Sequence, residues 1–268
     1  MQSRQSAGGS WAAKYAYSSL RLVSVRWRSR TSVLAVYEAL GERLELGPAQ
    51  FVQFWVPGLE AVPLTPLQLP GKQLAFLVKA RGPTTEHIVR DTPLRAGAIG
   101  PLGRPFHVPG KSILLVGGGV GVASVASIAQ HSSPKQRVVL LYGARTAEEL
   151  APLEELLPPY VRLVVSTDDG SRGIKGTVAE ALLRSELLDP ARYDAVVAAG
   201  PPAMLCKLVE LANAAGFIDK LYLSLEQVVK CGMGFCGSCR IPCGPLLLCI
   251  DGPVLPAASI ECWRSALC

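Results

Sequence analysis

A chain of 268 residues, 49% hydrophobic and 18% charged, carries enough apolar side chains for two or three separate cores, which excludes a disordered or fibrous protein. Its formal charge of +6 is a modest excess spread along the chain. In the one basic stretch, RLVSVRWRSR (21–30), Val23, Val25 and Trp27 alternate with Ser24, Arg26 and Arg28, the pattern of a strand with one charged face, so no nucleic-acid or membrane partner is expected.

The first thirty residues lack the continuous apolar run and small-residue cleavage site of a secretory signal. The most apolar run, SILLVGGGVGVASVASIA (112–129), holds three successive glycines, which suit a strand, a turn and a buried helix rather than a membrane span. The expected location is cytoplasmic. In a reducing compartment, clustered cysteines more often bind metal or do redox chemistry than form structural disulfides.

Up to about residue 107 the chain is a series of short strand-like runs without a helical period: SSLRLVSVRW, TSVLAVYEA, QFVQFWVPG, QLAFLVKARG and AGAIGPLG. Their even spacing predicts a small antiparallel β-barrel. From about 110 strands and helices alternate. SILLVGG (112–118) predicts a buried strand, followed by a small-residue helix over 120–130. RVVLLYGA (137–144), an amphipathic helix AEELAPLEELL (147–157), VRLVVST (161–167) and a helix GTVAEALLRSELL (176–188) follow. YDAVVAAG (193–200), a helix PAMLCKLVELANAAG (202–216) and LYLSL (221–225) complete a parallel sheet of about five strands with crossover helices. The tail is rich in cysteine and glycine. The expected fold is therefore a β-barrel (1–108), an α/β parallel-sheet domain (109–225) and a small C-terminal domain (226–268).

Two glycine turns follow predicted strands. In LLVGGGVGVAS, Gly117, Gly118, Gly119 and Gly121 open a helix, where backbone amides and the positive helix end can take a phosphate. AAGPPAML places Gly200 and Pro201 at a second strand end, and both turns fall on the edge where open parallel sheets bind ligands. The glycine spacing is an imperfect dinucleotide fingerprint, and a turn that needs glycine only for packing is the competing reading. Arg145 stands where an acidic ribose partner is expected, which leaves both NAD+ and NADP+ open.

Five of the eight cysteines lie in KCGMGFCGSCRIPCGPLLLCIDGP (230–253). Cys231, Cys236 and Cys239 stand at C-x4-C-x2-C and Cys249 follows, the spacing of plant-type [2Fe–2S] ligation. Gly232, Gly234 and Gly237 remove side chains that would clash with the inorganic sulfurs and permit positive φ. A zinc ribbon wants two C-x2-C knuckles and only one is present; a disulfide staple and a [4Fe–4S] site also compete. Cys243 competes with Cys249 as fourth ligand, but too few residues separate it from Cys239 for the loop to turn back, so Cys249 is preferred. Cys206, Cys262 and Cys268 read as core or surface thiols. His87, His107 and His131 form no nucleophile–base pair, and no catalytic residue is assigned.

The stretches QFVQFWVPGLEAVPLT, RGPTTEHI, IGPLGRPF, LLVGGGVGVA, LYGARTAEEL, TDDGSRGIKGTV, AGPPAML and the cysteine loop resemble the ferredoxin-reductase superfamily, and within it the electron-transfer subunits of B-type dihydroorotate dehydrogenase. The resemblance implies FAD in the barrel, NAD+ over the glycine turns and one [2Fe–2S] cluster on Cys231, Cys236, Cys239 and Cys249. It implies a partner, an FMN-containing dihydroorotate dehydrogenase catalytic subunit in a two-plus-two heterotetramer, with electrons passing from that FMN through the cluster and FAD to NAD+ in pyrimidine (UMP) biosynthesis. The flavin residues it implies are Pro63, Leu64 and Thr65 at one strand end and Gly82, Thr84 and Thr85 at the next turn. In this chain the first motif reads Val62-Pro63-Leu64-Thr65, without the family's arginine, and the second has threonine for its second glycine. The alternatives are a diaphorase subunit of a related sulfhydrogenase or ferredoxin:NADP+ oxidoreductase and, from another class, a zinc-stabilised non-enzymatic binding module.

Overall fold

The computed structural model describes residues 17–242 and 244–263. The short runs of the first third form β1 (Tyr17–Arg28), β2 (Ser32–Ala39), β3 (Phe51–Trp55), β4 (Val62–Leu64), β5 (Leu67–Gln68), β6 (Gln73–Lys79) and β7 (Arg95–Leu102). They make one antiparallel sheet of order β4-β3-β7-β1-β2-β6-β5, and β4 also touches β6, so the sheet curls back on itself. Alternate residues of β2, β3 and β6 fill its interior, where the rings of Tyr37, Phe54 and Phe76 meet edge-to-face, the last two at 4.9 Å. The outer half of β1 departs from simple alternation. Two register shifts against β2 leave Val23 and Val25 exposed beside the arginines.

A helix, α1 (Pro83–Asp91), interrupts the strands where the sequence predicts none. It buries only Thr84, Ile88 and Val89, too few positions to display a period. Its start follows local chemistry instead: Pro83 occupies the first turn after the Gly82 cap, and the Thr85 hydroxyl accepts the Gly82 N–H.

The second domain is built from β8 (Ser112–Gly118), α2 (Val122–Gln130), β9 (Arg137–Ala144), β10 (Arg162–Thr167), β11 (Ile174–Lys175), α3 (Val178–Arg184), β12 (Ala195–Ala199), α4 (Pro202–Ala214) and β13 (Leu221–Ser224). Sheet order is β11-β10-β9-β8-β12-β13-β14. All these strands run parallel except β14 (Val254–Pro256), which comes from the C-terminal segment and pairs antiparallel with β13. The sheet thus exceeds the expected five strands by the two-residue β11 and by β14. The helix expected over 147–157 is absent: two 3-10 turns, Ala147–Glu149 and Glu154–Leu156, flank Pro152, whose ring and missing N–H break a helix there. The helix expected over 176–188 ends at Arg184, with a separate 3-10 turn over Glu186–Leu188. No described helix is long and apolar enough to cross a membrane.

The three parts share cores. α2 is buried between its own sheet and the outer barrel face of Leu34, Val36, Leu67 and Leu77. Gln68 and Gln130 exchange backbone–amide hydrogen bonds across that contact at 2.9 and 3.0 Å. The cysteine-rich segment packs on the barrel through Phe51 and Leu102, which join one cluster with Cys239, Ile241, Leu248 and Cys249. Backbone bonds lock the contact: the Gly103 N–H donates to the Cys249 carbonyl at 2.9 Å and the Arg104 N–H to the Gly252 carbonyl at 2.6 Å. The Gln53 amide donates to the Val229 and Lys230 carbonyls just ahead of Cys231.

Gly103 has φ +77, and a Cβ there would stand 2.7 Å from the Gly252 carbonyl oxygen. Gly103→Ala is expected to cost about 1–3 kcal/mol, from the left-handed backbone and the forced separation of segments. Chemical denaturation measures this, and an unfolding curve like that of the unsubstituted protein would show that the contact is slack.

Candidate functional site

A cleft of about 850 Å³ opens where the three parts meet, within the range of ligand sites. Its barrel wall is the end of β4 (Val62, Pro63, Leu64) with Thr65, the end of β6 with Lys79, then Arg81 and Thr85. The α/β wall brings Gly121 and Gly200, and the third wall is the run from Ser224 to Lys230 leading into the cysteine loop. Of the residues expected at the flavin, Pro63, Leu64, Thr65 and Thr85 thus reach the cleft, whereas Gly82 and Thr84 are not part of its wall. Thr84 turns inward, with its hydroxyl donating to the Glu60 carbonyl at 2.9 Å. The Thr85 hydroxyl is engaged in capping α1, accepting the Arg81 and Gly82 N–H groups.

The glycine turns meet backbone to backbone. A Cβ on Gly121 would lie 2.7 Å from the Gly200 Cα, one on Gly117 2.6 Å from Val122, and one on Gly118 2.5 Å from the Met204 sulfur. Packing against backbone therefore accounts for Gly117 and Gly121 and brings the two turns to one edge, whereas a side chain at Gly118 would displace the end of Met204. Gly119, with open space around it, is the exception. Pro201 caps α4 beside the cleft wall. Beside them the hydroxyls of Ser124 and Ser224 share a hydrogen bond at 2.8 Å on the cleft surface. Arg145 does not stand alone at its strand end. Asp168, at the end of the adjacent strand β10, has its pKa raised by burial while the nearby Arg145 guanidinium opposes that rise.

In the cysteine loop two sulfurs approach each other and a third accepts backbone amides. Cys239 and Cys249, both buried, have Sγ atoms 3.3 Å apart, and the Cys236 N–H donates to the Cys231 Sγ at 3.4 Å. No three described His, Cys, Asp or Glu side chains gather as ligands of a single ion. Cysteines spaced C-x4-C-x2-C, with Cys249 brought against Cys239, suit a two-iron group better than the paired C-x2-C knuckles of a zinc ribbon. The Gly234 N–H donates to the Cys249 Sγ at 3.2 Å and the Met233 N–H to the Cys231 Sγ at 3.4 Å, the donors that stabilise thiolates. Gly232, Gly234 and Gly237 have φ of +69, +75 and +75, as the loop's wrapping requires. The Ser238 hydroxyl, helped by Cys231, holds the Cys236 thiol down to about 6, whereas burial, reinforced by Cys239, pushes Cys249 up to about 12. A bound iron deprotonates such a thiol outright. Cys243 and Cys268 lie outside the described residues, as does the Cys262 side chain. Cys206, read as a thiol, is disulfide-bonded.

Two of the three histidines have ordinary partners: His131 bonds the Ser127 and Leu46 carbonyls, and His87 pairs with Asp91. The sequence alone assigned nothing to Lys79, Arg81, Lys230, Gln53, Ser124 or Ser224. For Arg81 a signal existed, its place next to a helix cap; the others become neighbours of the cleft or loop only through the fold. An apolar cleft with hydroxyls and three cations on its wall fits an aromatic ring system carrying phosphates. The amide-decorated sulfurs of the loop fit an iron–sulfur cluster.

Comparison with known proteins agrees with this chemistry. A family described as the iron-sulfur cluster binding domain of dihydroorotate dehydrogenase B matches residues 226–261, and an oxidoreductase NAD-binding domain matches residues 115–209. The chain is 37% identical over 243 residues to a Pyrococcus furiosus protein named probable dihydroorotate dehydrogenase B (NAD(+)), electron transfer subunit, covering 88% of this chain and 90% of that one. A protein of the same name from Archaeoglobus fulgidus is 36% identical, over 80% of this chain and 87% of that one. Among solved structures, an NADH-dependent reduced ferredoxin-NADP oxidoreductase studied for flavin-based electron bifurcation superposes with a TM-score of 0.76 at 27% identity, over 89% and 88% of the two chains. The ferredoxin reductase of carbazole 1,9a-dioxygenase, at 22% identity and a TM-score of 0.66 over 78% and 68% of the chains, shares the fold. With these matches the zinc-module reading falls away: the chain belongs to the family of electron-transfer subunits of NAD+-dependent dihydroorotate dehydrogenase B.

Proposed function

We propose that this chain accepts the electrons released when dihydroorotate is oxidised to orotate on a separate FMN-bearing catalytic subunit and delivers them to NAD+, in the cytoplasm, as a step toward UMP. The reaction balances: dihydroorotate loses two electrons and two protons, NAD+ takes both electrons and one proton, and one proton is released. When bound, the [2Fe–2S] cluster supplies one-electron transfer and FAD supplies the exchange between single electrons and a hydride. One observation carries the reading: the wall of the flavin-sized cleft, Ser224 to Lys230, continues without interruption into Cys231.

The protein's part is to hold the groups and fix their spacing. Cys231, Cys236, Cys239 and Cys249 are the proposed cluster ligands; the 3.3 Å approach of Cys239 and Cys249 supports Cys249 as the fourth. Pro63, Leu64, Thr65 and Thr85 border the flavin, and Gly119, Gly121, Gly200 and Pro201 the nicotinamide nucleotide. The catalytic partner docks over the cysteine loop. There Phe235 is 93% exposed, with its loop neighbour Met233 and Ile250, which lies beside Gly234, also uncovered, apolar surface of the kind a partner covers. A two-plus-two assembly completes the proposal.

The direct test is to co-purify the chain with its partner and follow NADH formation from dihydroorotate. Absence of NADH formation by a complex containing flavin and cluster would reject the electron donor. Cys249→Ser is expected to abolish the [2Fe–2S] absorbance while Cys243→Ser keeps it; the opposite result would exchange the fourth ligand. Phe235→Ser is expected to weaken subunit association by about tenfold or more, as loss of an aromatic anchor does, while the cluster spectrum persists. Association of undiminished strength would move the docking face elsewhere.

A further inference from the structure

FAD carries two phosphates, each negatively charged at neutral pH, and the cleft that would receive it also holds the carboxylates of Glu60 and Glu226. The strand end bordering the flavin offers no compensation, because Val62, Pro63, Leu64 and Thr65 carry no charge. Among the described residues of the cleft wall, the cations are Lys79, Arg81 and Lys230.

We infer that Arg81 is the residue that takes the phosphate charge of the flavin dinucleotide, in place of the arginine that β4 lacks; this rests on the flavin reading above. Three observations support it. Arg81 directly precedes the Gly82 cap of α1, the nine-residue helix whose N-terminal end meets the cleft at Thr85. Its backbone is anchored, since its N–H donates to the Thr85 hydroxyl at 2.9 Å, so its side chain departs from a fixed point on the wall. Finally, its guanidinium is held, among the described residues, by the exchangeable partner Glu226 at 3.2 Å, with the two side chains 54% and 62% exposed. A solvated ion pair of that kind is weak, and a phosphate that matches the guanidinium fork displaces a carboxylate readily.

The other two cations are less suited. Lys79 faces Glu149 of the α/β domain at 3.9 Å and presents a single point charge, while Lys230 adjoins Cys231 at the cluster end of the cleft. Flavin binding therefore moves Arg81 from Glu226 to the phosphates and leaves Glu226 solvated. No covalent change is involved.

The test measures FAD affinity on the full-length, cluster-loaded protein after mild removal of flavin, by quenching of FAD fluorescence, with riboflavin as the phosphate-free probe. Arg81→Gln is expected to weaken FAD binding about 10- to 100-fold, the effect of losing a charged hydrogen-bonded contact, and to leave riboflavin affinity within about twofold. Glu226→Gln breaks the same ion pair but removes a negative charge from the cleft wall, so it should bind FAD more tightly than the unsubstituted chain. Val62→Arg placed in the Arg81→Gln background should restore affinity. Unchanged FAD binding by Arg81→Gln overturns the inference, as does an equal loss in Glu226→Gln or an equal loss of riboflavin. If the unsubstituted chain takes up no FAD, the flavin reading itself falls. If it binds FAD and Arg81→Gln binds equally well, only the role of Arg81 falls.

Discussion

Everything in this chain depends on the contact between one end of the barrel and the cysteine loop. Electron transfer between two centres needs a fixed separation, and here it is set by backbone, not by long side chains. β7 ends at Leu102, and the next two amides, of Gly103 and Arg104, donate to the carbonyls of Cys249 and Gly252. One of these carbonyls belongs to a proposed cluster ligand, so the sheet that borders the cleft is one hydrogen bond from the backbone of Cys249. Around it, Leu102 leaves no room for a side chain at position 232, and the buried Gln53 ties the residues preceding Cys231 to β3. Among the described residues no donor reaches the buried side-chain oxygen of Gln53, a cost tolerated at the point where the two parts must stay in register.

The α/β domain is positioned by a second contact of the same kind. Its small-residue helix α2 lies against the barrel, and its two glycine turns close on each other until only backbone fits between them. The close packing has a functional result: an edge of amides and small residues faces the cleft from the side opposite α1. The C-terminal segment returns to this domain as β14, so the loop that holds the cysteines is tied at both ends: before Cys231 by Gln53 of the barrel, and after Cys249 by Gly103 of the barrel and the pairing of β14 with β13. A loop so constrained can present Phe235 to solvent while keeping Cys239 and Cys249 buried.

Much of this was legible in the sequence because it rests on local chemistry. The cysteine spacing and its glycines are short-range features, and the loop adopts the positive φ values those glycines allow. The alternation of strands and helices after residue 110 likewise reflects side-chain periodicity, which survives in the parallel sheet. What escaped was nonlocal or too short to have a period. α1 buries only three side chains, and the expected helix over 147–157 was defeated by Pro152, whose effect on the backbone outweighs the amphipathic pattern around it. The strand β14 could not be assigned to the sheet, since its partner lies some thirty residues earlier in the chain. The cations of the cleft carried little local signal: Arg81 stands beside the Gly82-Pro83 helix start, whereas Lys79 and Lys230 join it only through folding.

The central claim is that the cleft and the cysteine loop form one electron route within a single chain. Anaerobic titration of the purified protein with NADH, followed by optical absorbance and low-temperature EPR, tests it most directly. The account predicts that the [2Fe–2S]+ signal grows as the flavin absorbance bleaches. Bleaching of the flavin while the cluster stays oxidised until dithionite is added would contradict it.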